Sequence, residues 1–132
     1  MNEQPIDLWS PAVRALMSAR MHLAAGDADG VASRAYYAAF HAMSAVEMQA
    51  GRVHKKHTGL EAAIHKELVR TGRVREDLGA AYSSLFVLRK RGDYGGRARI
   101  TLEDAARAIA MTEMILREVR RISTIPLPDF ET

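Results

Sequence analysis

The chain contains no cysteine, which excludes a disulfide framework, a zinc-thiolate site and a catalytic thiol. Aromatic residues make up only 6% of it, there are four prolines, and the alternation of β-branched and polar residues that marks strands is missing. No apolar run approaches the length of a membrane span. The opening MNEQPIDLW is polar and carries two early acids, unlike the basic-then-apolar order of a secretory leader, so the expected location is the cytoplasm and no membrane partner is expected. No phosphate-cradling glycine loop and no nucleophile elbow is present. His54 and His57 lack an acid or cysteine at ligand spacing and sit in a basic loop, so no metal site is expected, and no cofactor.

What remains is helical. At 132 residues and 48% hydrophobic, the chain has the length and composition of a single domain with its own core. The stretch Asp29 to Gly51, DGVASRAYYAAFHAMSAVEMQAG, is its centre: alanine recurs between aromatic and aliphatic residues, with no proline or glycine from Val31 to Ala50. At the helical period Val31, Ala35, Ala39, Ala42 and Val46 form a small-residue face, whereas Arg34, Tyr37, His41 and Ser44 form a polar stripe.

Around this centre the sequence predicts four more helices. Ser10-Pro11 reads as an N-cap and first turn, with Leu8 and Trp9 stapling a helix that runs to Ala25. Gly26 to Gly30 is a tight connection with an Asp to cap the central helix, which makes the two helices antiparallel. Thr58-Gly59-Leu60-Glu61 has capping-box spacing and opens a third helix ending near Thr71-Gly72. A fourth begins near Arg75 and buries Leu78, Tyr82, Leu85 and Phe86; Arg89 falls on that same apolar side, with Asp93 one turn on, before a bend at Tyr94-Gly95-Gly96. Thr101 caps the last helix, in which Leu102, Ala105, Ala106, Ile109, Leu116 and Val119 are spaced for burial. The tail from about residue 124, with two prolines, is expected to leave the bundle and be flexible. The expected fold is thus an all-α, antiparallel up-and-down bundle of about five helices over residues 1–132.

The net charge is +3. The excess is gathered at Arg52, Lys55 and Lys56, at Arg70, Arg73 and Arg75, and at Arg89, Lys90, Arg91, Arg97 and Arg99, which suits an anionic partner or solvated helix ends. The basic clusters lack interleaved aromatics, so RNA binding would be backbone-directed and salt-sensitive.

SRAYYAAFH at Ser33 to His41, KKHTGL at Lys55 to Leu60, LFVLRKRGDYG at Leu85 to Gly95 and the alanine-rich last helix together resemble the prokaryotic HEPN-domain family (higher eukaryotes and prokaryotes nucleotide-binding) over nearly the whole chain. The resemblance implies a helical bundle that pairs into a homodimer, often beside a minimal nucleotidyltransferase in a toxin–antitoxin-like module. It also implies metal-independent ribonuclease activity in many members, carried by an Arg followed a few residues later by a His. Arg89 takes the place of that Arg, but Asp93, Tyr94, Gly95 and Gly96 stand where the His should follow, and none is an acid/base near neutral pH. Two other Arg-to-His spacings occur, Arg34 to His41 and Arg52 to His57.

The expected site is one polar groove in which Arg34, Tyr37 and His41 meet Arg89, Asp93 and Tyr94, with Lys56 and His57 at its mouth. The leading expectation is a regulatory protein that binds a nucleotide or nucleic acid there. The alternatives are a divergent ribonuclease, with His41 or His57 as acid/base and Arg34 or Arg89 stabilising the phosphorane, and a non-catalytic protein-interaction module.

Overall fold

A computed structural model describes residues 4–94 and 99–131, and of Tyr94 the backbone alone. It contains α1 (Pro5–Ala24), α2 (Ala28–Gln49), α3 (His57–Ala63), α4 (Glu76–Tyr94) and α5 (Leu102–Ile122), with no strand among the described residues. The chain is all-α, as expected. No described helix is long and apolar enough to cross a membrane.

The bundle is built on α2, which packs against α1, α3, α4 and α5. Ala35, Ala38, Ala39 and Ala42 are fully buried, and so are Ala12 and Ala19 of α1. Side chains of this size let two helices approach closely, and Ala25, Gly26 and Asp27 join α1 and α2 into a hairpin. Asp27 caps α2 by accepting from the Gly30 amide at 3.0 Å. Gly51, at φ +79°, takes the left-handed conformation that ends α2.

Two helix starts differ from those the sequence predicts. The first helix begins a turn and a half before Ser10: Gln4 and Asp7 form the capping box, and Pro5 occupies the first turn. Pro11 then lies inside α1 and costs it the bond to the Asp7 carbonyl, a loss the helix bears near its start. Lys56, not Thr58, is the N-cap of α3, and no side chain caps it. That helix widens into a π-helical stretch at Ile64–Val69, which sequence periodicity does not reveal. This stretch lies tightly on α4 at Gly79, where an added Cβ would come within 2.9 Å of Val69 and 3.0 Å of His65.

Thr101 and Asp104 cap α5 as the sequence predicts. Leu102 and Ala106, however, face outward, and Leu102 is 49% exposed. The expected bend at Gly95 and Gly96 lies outside the described residues.

The tail also departs from expectation. Residues 124–131 fold back along the bundle: Leu127 and Phe130 are buried, the Trp9 indole donates to the Pro128 carbonyl at 2.9 Å, and the Phe130 ring meets Trp9 edge-on at 6.0 Å. Gln49, at the end of α2, donates to Ser123 at 2.8 Å and accepts from the Thr124 amide at 2.9 Å. Two apolar anchors and these hydrogen bonds outweigh the helix-breaking prolines. Phe130→Ala should therefore destabilise the fold by about 3 kcal/mol in chemical denaturation, the usual cost of a buried Phe. It should also shift the emission of Trp9, the chain's single tryptophan. An unaltered midpoint would show that the tail contributes nothing to the fold.

Candidate functional site

Tyr36, fully buried in the middle of α2, is the residue around which the polar groups gather. Its ring stacks on Phe86 of α4, with centroids 5.2 Å apart. Its hydroxyl lies 2.7 Å from Nδ1 of His57, the first residue of α3, and accepts from the Tyr82 hydroxyl at 3.4 Å. Tyr36 thus ties Nδ1 of His57 to the core, in a hydrogen bond whose direction follows the His57 tautomer. Burial, with the Arg89 charge in second place, holds His57 below the ordinary histidine value. Burial likewise raises both tyrosines.

Arg89 closes this cluster from α4. Its guanidinium lies 5.4 Å from the Tyr36 ring centroid and 5.1 Å from that of Tyr37, within cation–π range. Nε is 3.1 Å from the Asp93 carboxylate, an ion pair one turn apart, yet the contact is not an aligned hydrogen bond and leaves that buried nitrogen without one. Arg89 is thus held in place by charge and aromatic faces.

On the opposite side of Tyr37, α1 and α2 enclose a cavity of about 420 Å³ lined by Pro11, Arg14, Ala15, Ser18, Arg34, Tyr37 and His41. Arg34, Tyr37 and His41 share it, as their spacing predicts. Arg89 and Asp93 do not line it and meet it only through the Tyr37 ring. Tyr37 is the residue common to this cavity and to the Arg89 cluster. His57 belongs to the Tyr36 cluster, Lys56 is exposed beside it at the start of α3, and the Tyr94 side chain lies outside the described residues.

Sequence reasoning missed four residues here: Tyr36, Arg14, Ser18 and Glu47. Glu47 is fully buried near the end of α2 and takes Arg52 Nε at 2.9 Å, Arg52 Nη2 at 2.8 Å and His54 Nε2 at 2.8 Å. Burial alone would raise its carboxyl, but the bonds from Arg52 and then His54 outweigh this and hold it below the ordinary range. This clamp folds the loop after Gly51 back over α2 and so delivers His57 to Tyr36. A fully buried Glu on an alanine-rich helix was the one available signal, because burial of a carboxylate demands a partner.

Among the described residues no cluster of three or more His, Cys, Asp or Glu is placed to hold a metal ion. Uncompensated cations and aromatic faces make this region suited to a flat, anionic molecule.

An all-α helical bundle with arginines and aromatic rings gathered about its central helix is the class that these features define. The HEPN domain model matches residues 6–122, and the chain belongs to the HEPN family. A UPF0332 protein of Thermotoga maritima is similar to it, 33% identical over 125 residues that span 92% of this chain and 95% of that protein.

Two pH effects follow from the shifted groups. The unfolded chain takes a proton on His57 near the ordinary value of about 6.5, before the folded protein does, so stability falls as the pH drops from about 7 through the folded value. His57→Gln, which can still accept from Tyr36, should flatten the fall in melting temperature between pH 7 and 5.5; an unchanged slope would exclude His57 as its source. The lowered Glu47 contributes stability that is present above the unfolded carboxyl value and is lost as the pH falls through the folded one. Glu47→Gln should cost about 1–2 kcal/mol at pH 7, below the full value of a buried charged pair because the Arg52 side chain is 36% exposed. The deficit should shrink in acid, as measured by urea unfolding at several pH values.

Proposed function

We propose that this HEPN protein binds a nucleotide or nucleic acid and acts as a regulatory partner rather than as a nuclease, in a toxin–antitoxin-like module with a minimal nucleotidyltransferase. The observation that carries this reading is the placement of Arg89. Its guanidinium rests on Tyr36 and Tyr37, is paired with Asp93, and stands beside a cavity holding two further arginines. Fixed guanidinium groups with aromatic faces recognise phosphate and base together.

The chemistry of the cluster favours binding over hydrolysis. A ribonuclease of this family type needs an imidazole that exchanges a proton with the substrate. Asp93, Tyr94, Gly95 and Gly96 stand where that imidazole would follow Arg89. In the His57 arrangement, Nδ1 is engaged by Tyr36, which commits one of the two ring nitrogens to the fold. A homodimer is part of the proposal, supported by the outward apolar surface where Val87 of α4 is 57% exposed and Leu102 of α5 49%.

The test is a thermal-shift titration with ATP, AMP and a short single-stranded RNA, run beside an RNA cleavage assay. Saturable stabilisation without cleavage is expected. Arg89→Ala should weaken the affinity about tenfold, equivalent to roughly 1.4 kcal/mol, and Arg89→Lys should restore part of it. Cleavage of RNA that His41→Ala or His57→Ala abolishes would replace this reading with the enzymatic one. Absence of a shift with every anion would leave the interaction-module reading.

A further inference from the structure

Arg14 and Ser18 lie one turn apart on α1 and face Arg34, Tyr37 and His41 of α2 across the hairpin. Pro11 and Ala15 complete the wall on the α1 side. No carboxylate lines this cavity, and among the described residues neither Arg14 nor Arg34 is ion-paired. Two guanidinium groups, a serine hydroxyl and a tyrosine therefore converge on a space that contains no compensating negative charge.

A second cavity, of about 180 Å³, begins on the other side of His41. It is lined mainly by Leu8, Phe40, Met48 and Val53, with Ser44, Arg52 and His54 at its edge. Arg52 and His54 of this compartment are both bound to the Glu47 carboxylate. His41 is a wall of both cavities. The two spaces thus differ in kind: one is lined by two arginines and no acid, the other is mainly apolar with Arg52 and His54 held by Glu47, and His41 borders both.

We propose that this divided groove between α1 and α2 is the seat of a nucleoside monophosphate, with the phosphate between Arg14 and Arg34 and the base against Phe40, Met48 and Val53. The inference rests on the nucleotide-binding reading above and makes it more specific. It sets the phosphate between Arg14 and Arg34 and leaves Arg89, whose charge is shared with Asp93, to support the site through the Tyr37 ring that walls the same cavity. It also selects a small ligand over a polymer, because a compartment of this size beside the phosphate site accepts one base. The free phosphate dianion is the chemistry that two arginines on opposite helices recognise best.

Isothermal titration of the full chain with AMP, adenosine, inorganic pyrophosphate and a short single-stranded RNA tests it. AMP is expected to bind more tightly than either adenosine or pyrophosphate. Arg14→Ala and Arg34→Ala should each weaken AMP about tenfold or more. Both side chains are exposed and, among the described residues, form no ion pair, so the melting temperature of the unliganded variants should be unchanged. Val53→Ala should weaken AMP and leave pyrophosphate unaffected; Val53 is 74% exposed, and the fold does not depend on it. AMP binding that survives both arginine substitutions but is lost in Arg89→Ala would overturn this placement and leave the nucleotide-binding reading intact. Equal affinities for pyrophosphate and AMP would overturn the base compartment, and binding of RNA alone would replace the mononucleotide with a phosphodiester backbone. No binding of any probe to the wild-type protein would overturn both readings.

Discussion

Burying a tyrosine hydroxyl without a partner costs on the order of 1–3 kcal/mol, and at Tyr36 that demand is met by elements far apart in the chain. Its hydroxyl accepts from Tyr82 of α4 and lies 2.7 Å from His57 of α3, while its ring stacks on Phe86. Satisfying this one group fixes where α3 begins, how the loop before it must return, and which face α4 turns inward. The Glu47 clamp follows from the same requirement. A loop carrying Arg52, His54, Lys55 and Lys56 would otherwise extend into solvent, and its three bonds to a buried carboxylate fold it back so that His57 arrives over the aromatic cluster.

The charge of the protein divides in a way that its total of +3 conceals. Most arginines are neutralised within the chain: Arg20 by Glu113, Arg52 by Glu47, Arg89 by Asp93, Arg107 by Glu103 and Asp104, and Arg117 by Glu131. Arg75 pairs with Asp77, and Lys90 lies 4.1 Å over the Phe86 ring. The basic clusters visible in the sequence are therefore weaker sources of potential than their residue counts suggest. Among the described residues Arg14 and Arg34, which belong to no cluster in the sequence, form no ion pair, and neither do Lys55, Lys56, Arg70, Arg73 and Arg91. An anionic ligand responds to this remaining field, since a paired charge in high dielectric contributes little at a distance.

The parts of the fold legible in the sequence are those decided by local chemistry. Alanine spacing places the buried face of α2, Asp27 its start and Thr101 the start of α5, because periodicity and capping act within a turn or two of chain. Ser10-Pro11 misled because it is also a valid helix start; nothing local shows that Gln4 and Asp7 close the same kind of box earlier. The π-helical stretch and the docking of Phe130 on Trp9 depend on contacts distant in sequence, and periodicity carries no trace of them. The site shows the same division. Arg34, Tyr37 and His41 share a cavity, as a single helix wheel can tell. Arg14 and Ser18 look like ordinary polar-face residues of α1 until the hairpin sets them opposite that stripe, and Tyr36 looks like core until its hydroxyl is traced to His57.

Asp93 affects the chemistry of Arg89 as well as occupying a position where an imidazole would follow. Stabilising a pentacoordinate phosphorus requires a cation whose charge is available as negative charge builds up on the transferring oxygens. A guanidinium already within 3.1 Å of a carboxylate has given part of that field away, and a phosphate drawn to it would also meet the carboxylate. The two tyrosine faces keep the same guanidinium fixed and oriented, a property that serves recognition. An acid one turn after Arg89 thus reduces the electrostatic pull that the guanidinium can offer, while the two aromatic faces keep it oriented.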